Sequence, residues 1–166
     1  MTDAKSLYDE DFVAWAEQQA EALRSAGRGG TNQPLDWDNL AEEIDSLARS
    51  DRRALRNQIH RIVQHLAKLQ FSPAADPRAG WRESIDDGRL QVELLLEDSP
   101  SLKAELDRVV AEQTPKAIKR AIGELAYHGE VDPTLERTIR ATHYSAEQIL
   151  EDWFFPAPAR RSGSAE

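Results

Sequence analysis

Hydrophobic positions recur every three or four residues along most of this chain. That is the spacing of an apolar stripe on an α-helix. Four segments marked by glycine and proline interrupt it: GRGGTNQP (27–34), SPAADPRAG (72–80), HGEVDP (128–133) and PAPARRSGSAE (156–166). No segment of useful length has the two-residue period of a strand, and there is no internal repeat. The pattern predicts an all-α fold, an irregular helical bundle of four main helices plus short C-terminal helices. It forms a single domain over residues 1–156, with a disordered polar tail over 157–166.

The first predicted helix runs from about Asp9 to Ala26, with Tyr8, Phe12, Trp15, Gln19 and Leu23 on one face and Gly27 as its C′ residue. The second starts at Asp36, an N-cap candidate, and meets no proline or glycine before Pro73. Its stripe runs from Trp37, Leu40, Ile44, Leu47 and Ala48 through Leu55, Ile59 and Ile62 to Leu66 and Leu69. Such a helix is roughly 50 Å long at about 1.5 Å per residue, long for a chain of this size. Either it bends near Arg49–Arg53, where charge interrupts the stripe, or its end projects and is covered by a second copy in a homodimer. Asp51 falls on the stripe itself, which predicts that an arginine pairs with it.

The third helix begins after Pro77 and carries Trp81, Ile85, Gly88, Val92, Leu95 and Leu96 on one face. A glycine in mid-helix costs about 1 kcal/mol against alanine. Close approach of another helix is the expected compensation at Gly88. Ser99-Pro100 restarts the chain as N-cap and N1, and Pro115 predicts a kink or break in the fourth helix. A short helix follows Pro133, and Ser145–Gln148 has the spacing of a capping box.

Composition narrows the chemistry. Without cysteine there is no disulfide, thiolate zinc site or cysteine nucleophile. The acidic N-terminal stretch is unlike a signal peptide and the apolar runs are short, so the chain is expected to be cytoplasmic, without a membrane span. The formal net charge of −9 disfavours nucleic acid as a partner.

Two histidines fall in HRIVQHLAKLQF. On a helix His60 and His65 lie about 140° apart, on opposite edges of the stripe, so they cannot face one ion. Neither has a histidine or carboxylate three or four residues before it, and no HxxxH pair exists. Neither a metal nor any other cofactor is expected. Glu43 shares an edge with His65 but lies about 33 Å away along a straight helix.

The segments LYDEDFVAWAEQQAEALR, NLAEEIDSLARSDRRAL, HLAKLQFSP, WRESI, LLEDSPSL and YSAEQILEDWFFP occur in this order. Together they resemble the bacterial family called domain of unknown function 29, common in cyanobacteria and proteobacteria, over roughly residues 7 to 156. The resemblance implies a compact all-helical domain. The family has no established activity, so no catalytic role carries over. Glu43, Arg53, His65, Trp81, Pro100 and Leu102 match its recurrent pattern, whereas Gly88 stands where a long polar side chain is expected.

These readings favour a non-enzymatic protein-interaction module with an unknown protein partner. The candidate functional residues are Glu42, Glu43, Asp51, Arg52, Arg53, His65 and Trp81. One alternative is a metal-dependent or acid–base hydrolase that uses Glu42, Glu43, Asp45 and His65. Another is an anion or nucleic-acid binder acting through Arg52, Arg53 and Arg56. A cleft gathering carboxylates with His65 would favour the first alternative, and a continuous positive groove the second.

Overall fold

The computed structural model describes residues 4–30 and 34–159. Among them are seven α-helices, one 3₁₀ helix and no strand. The α-helices are α1 (Ala4–Glu10), α2 (Phe12–Arg28), α3 (Trp37–Phe71), α4 (Arg78–Asp98), α5 (Leu106–Tyr127), α6 (Pro133–Arg140) and α7 (Ala146–Leu150). The 3₁₀ helix is η1 (Pro100–Glu105). The four long helices are those expected. Two compact units are drawn from the chain, one from Met1–Leu55 with Glu93–Glu105 and the other from Arg56–Val92 with Leu106–Glu166. Both α3 and α4 contribute residues to each unit.

In unit 1 the expected first helix is divided. Asp11 is extended, at φ −156° and ψ 95°, and its carboxylate accepts from the Ala14 amide. A short acidic side chain competes with the helix ladder for backbone donors, so it starts α2 at the cost of ending α1. The same carboxylate accepts from the backbone and hydroxyl of Ser101 in η1. In return the hydroxyl of buried Ser99 accepts from the Val13 amide. Ser99 therefore does not cap its own helix as expected. Its hydroxyl and Asp11 lock the starts of α2 and η1 together.

Gly27 also differs from expectation. It lies inside α2, whose C-cap is Gly29, and Gly30 takes the left-handed φ of 72°. A Cβ on Gly27 would sit 2.7 Å from the Cβ of Trp37, so its lack of a side chain admits the first residue of α3. The unit 1 core joins Leu55 and Leu102 to a set of smaller residues, with Val13, Ala16, Ala20, Ala41 and Ala48 all buried. Leu40 and Leu47, expected on the buried stripe, are 41% exposed because the alanines beside them face inward.

No break occurs at residues 49–53, and α3 is helical through all of them. Asp36 accepts from the Asn39 amide as an N-cap should. In unit 2 the stripe is buried as read, with Ile59, Ile62, Leu66 and Leu69 wholly inaccessible. A Cβ on Gly88 would lie 2.8 Å from Cγ1 of Ile62, which is the expected close approach. Helix α5 passes through Pro115 without a break. Its two apolar sets are buried on either side of the proline, and that burial stabilises the helix despite the lost hydrogen bond. Both α6 and α7 pack against α5, capped by Asp132 and by the expected Ser145–Gln148 box.

The C-terminal segment is held by an arginine that periodicity gave no reason to notice. Arg89 of α4 is 6% exposed and donates to the carbonyls of Gln148, Ile149, Asp152 and Phe154. Several of these are carbonyls that a helix end leaves without an internal donor. The Phe155 ring lies 4.3 Å from the Arg82 guanidinium and 5.0 Å from that of Arg89. Within the expected disordered tail, the Ala159 amide donates to the Gln70 carbonyl at 2.7 Å, while residues 160–166 lie outside the described residues.

Candidate functional site

The residues singled out from the sequence fall in different places. In unit 1, Asp45 accepts from Arg24 and Arg49 at 3.1 and 3.3 Å, and Glu42 pairs with Arg49 at 2.6 Å. Glu43 is exposed, and its carbonyl accepts from Ser46. Arg52 is held between Glu17 and Glu105 at 2.6 and 2.7 Å. Burial opposes its charge, but the two carboxylates outweigh burial and raise its pKa further. Arg53 is exposed and Arg56 half-buried, neither with an ion-pair partner among the described residues. The arginine expected for Asp51 is absent. Its neighbour Arg52 is taken by Glu17 and Glu105, and the charge beside Asp51 is Asp98. Burial first, and Asp98 second, push the Asp51 carboxyl above its usual range.

In unit 2, His65 is half-buried and its Nδ1 has no hydrogen-bond partner. Burial, then the charges of Lys68 and Arg61, lower its pKa to about 4, against a smaller opposing effect of Glu124. A cleft in unit 2 has a volume of about 1050 Å³ and runs past His60 and Lys68 of α3, Trp81 of α4 and the exposed face of α5; His65 is not part of its lining.

Helical spacing builds the α5 wall. Lys116, Arg120, Gly123 and Tyr127 recur at intervals of four, three and four, which sets them on one face. Lys119 stands beside them, and His128 and Glu130 follow in the turn after the helix. Gly123 sits in the middle of this wall, and nothing lies within 4 Å of where its Cβ would be. Glu124 gathers the facing groups, accepting from Lys68 and Gln64 at 2.8 Å each and from Arg120 at 3.2 Å. Its burial pushes the pKa up, but the Lys68, Gln64 and Arg120 donors together outweigh that and leave the carboxyl below its ordinary value. The Lys68 ammonium also lies 4.8 Å from the centre of the Trp81 ring.

Four fixed cations line the cleft against two carboxylates, in a chain whose net charge is −9. Lys116 and Lys119 have no ion-pair partner among the described residues, and Tyr127 is 85% exposed. Such a surface can receive an anionic group and shelter an apolar one beside it. Of the candidate residues named from the sequence only Trp81 lines this cleft; Lys116, Lys119, Gly123 and Tyr127 are not among them. A glycine at mid-helix with a cationic and aromatic stripe around it was the available signal.

The family model described as "Domain of unknown function DUF29" matches residues 7–155. The chain belongs to this family. Two of its segments quoted above, LYDEDFV and EDSPSL, supply the interlocked caps at Asp11, Ser99 and Ser101, so in this DUF29 chain they act through architecture. Among solved structures, this DUF29 chain is similar to an α-helical protein of unknown function from Rhodospirillum rubrum. The two are 23% identical with a TM-score of 0.63, over 89% of this chain and 97% of the other. At that identity the likeness shows the fold alone. No curated protein matches the chain. No helix among the described residues is long and apolar enough to cross a membrane.

Proposed function

We propose that the protein is a non-enzymatic interaction module whose working surface is the cleft of unit 2. The observation that carries this reading is the pair of uncompensated lysines, Lys116 and Lys119, beside the open face of Tyr127. Exposed tyrosine is a group that protein recognition favours, and unpaired cations offer charge complementarity to a partner. Acid–base catalysis needs a base held in place by a third group. Neither His60 nor His128 is oriented by a hydrogen bond among the described residues. Of the two alternatives, the positive character of the cleft supports anion recognition. The cations are those of α5 and the end of α3, rather than Arg52, Arg53 and Arg56.

A photo-reactive amino acid placed at position 123 tests the module in its native host cells, with position 18 on an exposed turn of α2 as control. The expected result is a covalent adduct with a polypeptide that forms from position 123 and not from position 18. Equal trapping at both positions, or none at 123, overturns the reading.

A further inference from the structure

The shape of the cleft narrows its occupant beyond the general reading of an interaction module, on which this step rests. From Lys116 to Tyr127 the α5 wall is about 16 Å long at 1.5 Å per residue. An extended chain covers that length in roughly five residues at about 3.3 Å each. Gly123 lies along this wall with open space at its Cβ position. Gly27 and Gly88, by contrast, each admit a neighbour, Trp37 and Ile62, while Gly80 in the first turn of α4 is also open. A mid-helix glycine costs about 1 kcal/mol, and at Gly123 none of the described residues fills the space. Its lack of a side chain lets another backbone approach the helix.

Charge selects the occupant's chemistry. Lys116 and Lys119 offer ammonium groups that no carboxylate of the described residues meets. A nucleic-acid strand carries a charge on every nucleotide and would set phosphates against Glu124 and Glu130, whereas a peptide need place its carboxylates only at Lys116 and Lys119. We infer that the cleft takes an acidic polypeptide segment laid along α5, its carboxylates on Lys116 and Lys119 and its backbone against Gly123.

The test uses the full chain and an array of short synthetic peptides graded in Asp and Glu content, each acidic peptide paired with its amidated Asn and Gln counterpart. Oligodeoxythymidylate, ATP and inorganic phosphate serve as competitors. Retention should rise with acidic content, and the amidated counterparts should bind at least tenfold more weakly. Gly123→Leu should lower affinity at least tenfold by filling the groove, without lowering the melting temperature. Lys116→Glu with Lys119→Glu should do the same by reversing its charge. Retention that ignores acidic content overturns the inference, as does an affinity unchanged in Gly123→Leu. Displacement of the peptides by oligodeoxythymidylate, with tighter binding of that strand, would make the cleft a nucleic-acid surface and overturn it too. A polypeptide trapped at position 123 that has no acidic segment defeats this inference alone, whereas no trapped polypeptide defeats the interaction module as well.

Discussion

Asp51 and His65 each hold an ionisable group where its charged form is disfavoured, with opposite consequences for pH. Burial and the nearby Asp98 raise the Asp51 pKa. The folded state therefore keeps a proton at Asp51 that the unfolded chain, titrating near 3.9, gives up. Its contribution is most favourable at acid pH and declines as pH rises through the folded pKa. Asp51→Asn, which keeps the shape and removes the charge, should raise the melting temperature at pH 7 and make little difference below about pH 4. A lower melting temperature at pH 7 would show that the carboxylate has a partner. His65 runs the other way. Its pKa is lowered to about 4 from 6.5, so between those values the unfolded chain binds a proton that the folded one refuses. Its contribution to stability is complete above about pH 6.5 and falls as pH drops towards 4. His65→Leu should melt higher than the parent at pH 5 and gain less at pH 7, because Nδ1 loses no hydrogen bond in the exchange. A gain that is equal at both pH values would mean that the imidazole is protonated, or neutral, in both states.

At the scale of the element, three of the glycines within helices separate into two kinds. Gly27 and Gly88 are filled by neighbours, and Gly123 is open. Replacing Gly123 with alanine should stabilise the protein by about 1 kcal/mol, or roughly 2–4 °C in melting temperature for a chain of this length. Gly88→Ala has the same helical gain but drives a methyl group into Ile62, a stiff β-branched residue with no exposed surface. Overpacking of that kind costs about 1–3 kcal/mol. The melting temperature should fall, and a rise would show that α3 and α4 can separate at this point. Gly88 could be read from the sequence because it interrupts an apolar stripe, where a missing side chain implies a close neighbour. Period and capping residues also made the four long helices legible. Their ends were less so, since Asp11 is pulled out of a helical run by Ser101, ninety residues away, and Ser99 is engaged by Val13. Arg89 gave no signal either. Its partners are backbone carbonyls, which every residue has, so no spacing or side-chain type announces them. The cleft was hidden for a related reason. Its lining comes from three separated helices, and on the solvated face of α5 a lysine that binds a partner and one that only dissolves the helix have the same spacing.

For the whole molecule, the cleft and the net charge act on an acidic partner in opposite directions and over different distances. The screening length is about 30 Å at 0.01 M salt and about 8 Å at 0.15 M. At the lower salt an approaching acidic segment feels the repulsion of a chain with net charge −9. At the higher salt that repulsion is largely screened before contact, while Lys116 and Lys119 still act within a few ångströms. The association rate for an acidic peptide should therefore rise between 0.01 and 0.15 M salt, contrary to the usual fall for complementary partners. The dissociation rate should also rise, because the ammonium–carboxylate contacts weaken once the peptide is seated. Stopped-flow fluorescence with a labelled acidic peptide separates the two rates. Lys116→Glu with Lys119→Glu should act mainly on dissociation, since it removes the short-range contacts and adds only modestly to a repulsion already present. An association rate that instead falls steeply with salt would mean that the cleft's positive field reaches beyond the chain's overall negative charge, and that long-range steering governs its encounters.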